Sequence, residues 1–359
     1  MMKQRIIGFD LARAYAIFGM YIVNFNIVFG SYQDTSLLGR FLSLFSGNSS
    51  TVFVMLAGMG LALMTNRAEY TGEEKRRIRK TIHRRGLFLF AIGLLLYVWW
   101  PADILHFYGG YMHFAAFLLF ADKCFCLWAA VFSIVIFHLL LLVIPYETGW
   151  NFDTLQYKDF WTIEGFLRNT LYNGWNPVFP WLAYFTTGMY LGRLNWSEKR
   201  TQRSMFLTGV GMYVSVWILQ LLVNRFSVST DLKFYIEADY LPPFLPFMLS
   251  TTGFGLMLIA VFVRLGNRVS ENPLAKSLAN TGRMTLTHYI SHLTVGMLLL
   301  AFLTDKTYIG QVNTQEPVHP AVVFGFSVLY FAVSYGFSKL WSRRFENGPF
   351  ETLMRKVSG

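Results

Sequence analysis

The sequence predicts an all-α protein: a polytopic membrane bundle of about ten transmembrane helices with both termini in the cytoplasm. Two observations lead there. Of 359 residues, 54% are hydrophobic and only 14% charged, where a soluble chain carries nearer a quarter charged residues. Apolar runs of roughly 18 to 23 residues also recur from end to end, each long enough to cross a hydrocarbon core of about 30 Å at 1.5 Å per residue.

The predicted spans are 7–29, 45–65, 86–101, 103–120, 124–144, 177–195, 205–223, 241–263, 284–302 and 319–341, forming a single transmembrane domain over 1–359. The first has no small-residue cleavage site and reads as a permanent helix. The third and fourth are short and meet at the corner "WWPAD". Span two, "GNSSTVFVMLAGMGLALM", mixes in small residues that let helices approach closely. Prolines 177, 180, 242, 243 and 246 stand near the starts of spans six and eight, where a helix tolerates them. The longest outer connection, 146–176, holds the amphipathic run "KDFWTIEGFLRNTLY", a candidate interfacial helix over the mouth of a cavity.

Charge fixes the orientation. With both termini inside, 24 of the 31 Lys and Arg residues fall on the cytoplasmic side, six outside, and Arg13 within the membrane. Eight of them belong to the connection 66–85. An even number of spans satisfies the positive-inside rule. The sequence pI of 9.6 then reflects topology and lipid headgroup contacts, and no nucleic-acid-binding motif accompanies it. Cys124 and Cys126 are too few and too close for a disulfide framework or a metal cluster. No Walker loop, no GxSxG and no GxGxxG after a strand occurs.

Against this apolar background the polar residues stand out. In "GFDLARAYAIFGMYIVNF", Asp10, Arg13, Ile17, Tyr21 and Asn24 share one helical stripe. Asp10 and Arg13 form an i, i+3 opposite-charge pair, and Asn24 lies about 21 Å from Asp10 along the axis. A charge in mid-membrane costs roughly 2.5–3.5 kcal/mol on insertion scales, so such groups face a bundle interior and pair. The pair alone is equally a structural lock; the whole stripe, ending in an amide, favours a polar pathway.

A second stripe is Asp103, His106 and His113 in "DILHFYGGYMH", with His113 about 10 Å deeper than His106. A carboxylate beside an imidazole orients a general base, although Asp103 could equally cap the helix start. His288 and His292 in "TLTHYISH" are at i, i+4 on one face; they lack the third ligand and the HExxH context that zinc requires. His138 reads as a buried structural histidine, His83 and His319 as surface residues.

"FDLARAYAIFGMYIVNF", "SSTVFVMLAGMGLALM", "ADILHFYGGY", "PVFPWLAYFTTGMYLGRL", "NTGRMTLTHYISH" and "RRFENGPFETLMRK", in that order over nearly the whole chain, resemble the transmembrane acyltransferase superfamily. The resemblance is greatest to bacterial relatives of heparan-alpha-glucosaminide N-acetyltransferase. It implies a multi-pass enzyme of the bacterial inner (plasma) membrane. Such an enzyme takes an acyl group, typically acetyl from cytoplasmic acetyl-CoA, and delivers it to a glycan-type or small-molecule acceptor beyond the membrane. Asp10, Arg13 and Asn24 match the family's D-x-x-R…N pattern, whose asparagine belongs to the active site. The animal enzyme's catalytic histidine follows that helix, but residues 25–52 contain no histidine, so the base must come from another helix.

On this reading His106, oriented by Asp103, is the expected base, with His113 second and His288 or His292 third. Asn24 is expected to donate to the donor or to the oxyanion. Arg13, with its partner Asp10, and Arg193 and Arg283 are expected to attract the phosphates of CoA. No metal is called for. The expected partners are membrane lipids, the acyl donor and the acceptor; a homodimer is compatible with the sequence. The competing reading is a transporter or carrier of a polar or lipid-linked substrate, using the same buried charges as its path.

Overall fold

A computed structural model of the chain describes residues 6–31, 34–65, 69–237, 239–307 and 316–359. The helices follow in the order α1 (Ile7–Phe29), α2 (Leu37–Ser43), α3 (Asn48–Met64), α4 (Gly72–Tyr97), α5 (Leu105–Leu118) and α6 (Lys123–Leu141). A minimal hairpin of β1 (Trp150–Asn151) and β2 (Gln156–Tyr157) comes next, then α7 (Ile163–Arg168), which runs into a π-helical turn, Asn169–Asn173. After it come α8 (Val178–Gly192), α9 (Lys199–Arg225), α10 (Thr230–Ile236), α11 (Leu245–Val269) and α12 (Pro273–Arg283). The chain closes with α13 (Thr285–Ser291), a second π-helical turn His292–Gly296, α14 (Met297–Thr304), α15 (Pro320–Trp341) and α16 (Pro349–Ser358). The fold is the all-α bundle that the hydropathy predicts.

Among the described residues, seven segments are long and apolar enough to cross a membrane: Ile7–Phe29, Leu37–Met64, Lys123–Leu141, Lys199–Arg225, Leu245–Val269, Thr285–Thr304 and Pro320–Trp341. The other three predicted spans are also helical but fall short of that measure. Helices α5 and α8 have 14 and 15 residues, only about 21–22 Å of rise. Helix α8 is buried along most of its length, packed among α3, α5 and α6. A helix enclosed by others need not match the bilayer's thickness. Helix α4 begins well before residue 86, inside the stretch read from sequence as a loop. A Thr71–Glu74 capping box starts it, two acids occupy its first turn, and Lys and Arg extend it as good helix formers.

Helix α1 is the central pillar and contacts α3, α11, α12 and α15; 72% of its apolar window is buried. Helices α6 and α9 are peripheral, at 22% and 17%. The close approach expected of span two occurs against α8: a Cβ at Gly58 would strike the Phe185 carbonyl, and one at Gly188 the Met55 carbonyl. One end of the bundle gathers the start of α1, the α8–α9 turn, α12 and α16. The opposite end carries α2, the hairpin, α7 and α10.

The 146–176 connection folds as a compact cover, not as one interfacial helix. Arg168 holds it together through Asp159, Glu164 and the Tyr157 hydroxyl. Asn173 then donates to the Tyr146 and Thr148 carbonyls, both at 2.8 Å.

Candidate active site

The polar stripe of α1 is paired along its length. Arg13 donates to Asp10 at 2.9 Å and to the Leu56 carbonyl of α3 at 3.3 Å. The Tyr21 hydroxyl meets Ser334 of α15 at 3.0 Å. Asn24 reaches His292 of the second π-helical turn, with Nδ2 2.8 Å from Nε2. All but Arg13 are buried, and Ile17 between them is fully enclosed.

The Asn24 contact fixes the tautomer of His292. An amide nitrogen only donates, so Nε2 accepts. Nδ1 therefore carries the proton, which it donates to the His288 carbonyl at 3.2 Å. His288 in turn holds Ser338 of α15 through Nε2 at 2.7 Å. Three α15 residues missed in the sequence thus bond to this cluster: Tyr330 to Ser291, Ser334 to Tyr21, and Ser338 to His288. Their spacing of four residues was the available signal.

Asn24 also lines a cavity of about 490 Å³ at the end of the bundle that carries α2 and α10. Ser46, Ser49 and Ser50, the Trp175 and Tyr240 rings, Asn176 and Asp239 share its wall. Asn176 donates to the Tyr240 hydroxyl at 2.6 Å. Aliphatic side chains, among them Met20, Val23, Ile27, Ile104 and Leu155, supply much of the remaining lining, and among its described residues Asp239 is the sole charged side chain.

Asp103 and His106 do form the pair their spacing predicts, with Oδ2 3.2 Å from Nδ1 and both side chains fully buried. They do not open on that cavity. Tyr97, Phe107 and Phe160 close around the imidazole, and its Nε2 has no hydrogen-bond partner among the described residues. The other Asp103 oxygen accepts from Tyr289 of α13. Phe160 belongs to the folded cover, which a helical wheel cannot foresee. His113, expected to line the same path, is turned against α4: its Nδ1 bonds the Gly109 carbonyl at 2.6 Å and its ring stands 5.2 Å from that of His83.

At the opposite end Arg13, Arg283 and Arg355 line a cavity of about 300 Å³ with Glu346 and Asn347. Asp10 and Arg283 border a neighbouring one of about 570 Å³. Arg193 lies apart from both: it donates to the carbonyls of Leu118, Leu119 and Ala121 and so caps the C-terminal end of α5. It borders a separate cavity with Lys75 and Lys123. Among the described residues, no three His, Cys, Asp or Glu side chains are grouped as a metal ion would need.

The family model described as "Heparan-alpha-glucosaminide N-acetyltransferase, catalytic" matches residues 5–219, more than half of the sequence. The chain belongs to this family. It is an integral membrane protein of acetyltransferase type, an acyltransferase. A second model, "Protein of unknown function (DUF418)", matches residues 189–359. No curated protein matches the chain. The site straddles the two matches: Asn24 lies within the first, His292 and Arg283 within the second.

Proposed function

We propose that the chain transfers an acyl group, acetyl in the first instance, from an acyl-CoA bound at the arginine-lined end to a hydroxyl or amine in the opposite cavity. On this reading the arginine-lined end faces the cytoplasm of a bacterium and the cavity opens beyond its inner membrane; the distribution of basic residues supports the orientation. The acceptor is a glycan-type or other small polar molecule. One observation carries this reading: the amide that lines the cavity is hydrogen-bonded to a buried, neutral imidazole.

In the reaction Asn24 turns its amide N–H from Nε2 toward the thioester carbonyl, which frees that nitrogen. The acceptor's oxygen or nitrogen attacks the carbonyl carbon while Nε2 takes its proton. The Asn24 N–H stabilises the resulting oxyanion. Collapse of the tetrahedral intermediate breaks the carbon–sulfur bond, and the thiolate recovers the proton from His292. The products are the acylated acceptor and CoA, and the imidazole returns neutral. Arg13 and Arg283 hold the donor's phosphates by charge-assisted hydrogen bonds. His106, sealed from the cavity, is left with a structural part.

The test uses purified protein in nanodiscs, acetyl-CoA and an amino-sugar acceptor, following thiol release and acetyl incorporation. His292→Ala should lower turnover by about 10²–10⁴-fold while coenzyme A still binds. Undiminished turnover removes His292 from the mechanism. Acceptor movement without any thioester consumption identifies a carrier instead.

A further inference from the structure

The C-terminal helix α16 lies outside the apolar spans, yet it touches both halves of the proposed machinery. Its Glu351 is buried at the start of α13, the helix that leads into His292. One carboxylate oxygen accepts from the Leu286 and Thr287 backbone N–H groups at 2.7 and 3.2 Å, the other from the Thr287 hydroxyl at 2.6 Å. These are the otherwise unbonded N–H groups of a helix N-terminus, so Glu351 caps α13 from a different element. One turn further along α16, Arg355 lines the cavity of about 300 Å³ that Arg13 and Arg283 also line. Arg13 is already paired with Asp10, and Glu346 also borders the cavity; the guanidiniums still outnumber the carboxylates, which favours an anionic ligand. The two attachments lie four residues apart, on one face of one helix.

We propose that α16 is part of the donor site. Arg355 is its third phosphate-binding guanidinium, and Glu351 is a positioning residue that ties this helix to α13, so that donor binding steadies the segment bearing His292. The inference rests on the donor being an acyl-CoA.

Coenzyme A is titrated against the full-length protein in nanodiscs. Arg355→Gln should weaken binding about tenfold, equivalent to about 1.4 kcal/mol. Lys356→Gln removes the same charge from the same helix but does not border the cavity, and should bind as the parent does. Equal weakening in both variants means general attraction by the basic end and overturns the proposal; so does unchanged binding in Arg355→Gln. If the parent protein itself binds no coenzyme A, the donor reading fails first and this inference with it.

The tether is read separately by a double-mutant cycle. Glu351→Ala should weaken coenzyme A binding, and adding Arg355→Gln should cost little more, because α16 has already been released from α13. Glu351→Gln, which keeps an oxygen to accept from the α13 backbone, should recover most of the loss. Strictly additive effects overturn the tether, as does Glu351→Ala binding like the parent. Arg355 is exposed, so its replacement leaves the fold intact even where Glu351→Ala lowers expression.

Discussion

The Tyr289 hydroxyl donates to the Asp103 carboxylate at 3.2 Å, joining the corner between α4 and α5 to the helix that carries the histidines. The same oxygen accepts the Ile104 backbone N–H at 3.0 Å, and the Tyr289 ring meets His292 edge-on at 5.1 Å. Asp103 thus bears on His292 through Tyr289, not through His106. Tyr289→Phe keeps the ring and leaves both partners buried without it. It should destabilise the protein by about 1–3 kcal/mol and lower kcat with little change in KM for the donor. Thermal unfolding in detergent and steady-state kinetics check the two parts.

Asp10 is the charge partner of a guanidinium held between α1 and α3. Asp10→Ala should cost about 2–4 kcal/mol, toward the lower end because the Arg13 side chain keeps 23% exposure and a carbonyl partner. Adding Arg13→Met should restore expression without restoring coenzyme A binding. Expression level and a binding titration separate the two effects.

Burial outweighs the hydrogen bonds of Glu351 and holds its carboxyl above the usual value of 4.5. In the interval from 4.5 up to the raised value, the native state therefore binds more protons than the unfolded chain. Stability falls as pH rises through that interval and is level above it. The parent should gain on Glu351→Gln as pH is lowered toward about 4.5. Parallel melting curves of the two proteins across pH reveal this as a difference that shrinks toward neutrality.

His106→Ala opens a hole in an aromatic box and should cost about 2–4 kcal/mol of stability. Turnover per folded molecule should stay within a small factor of the parent's. A loss of about 10²-fold or more with donor binding intact returns this histidine to the chemistry. Turnover normalised to folded protein, from size-exclusion profiles, decides between them.

The stripe from Asp10 to Asn24 was legible because one helix's period fixes which of its residues share a face. What that face meets was not. Asn24 and His292 are 268 residues apart, and no wheel shows which helix lies beside which. The order of preference among histidines followed local carboxylates, so Asp103 drew attention to His106, while the cover residue Phe160 that encloses it carries no signal of its position. The early start of α4 was written in Thr71 and Glu74, but the eight basic residues around them read as a loop. Arg193 looked like a phosphate ligand from its charge; only the fold shows three carbonyls in front of it.

The amide and the imidazole reach each other from stretches that separate family models match, 5–219 and 189–359. The proposed reaction centre is therefore a joint property, and neither stretch encodes it alone. Most of the cavity wall comes from the first, whereas the proposed base His292 and two of the three guanidiniums come from the second. Recombination between relatives at the overlap would exchange the proton chemistry and the donor grip in one event and leave most of the acceptor's surroundings inherited from the other parent. The overlap runs largely through α9, the least enclosed of the seven spans, where a seam between two lineages disturbs the fewest packed side chains.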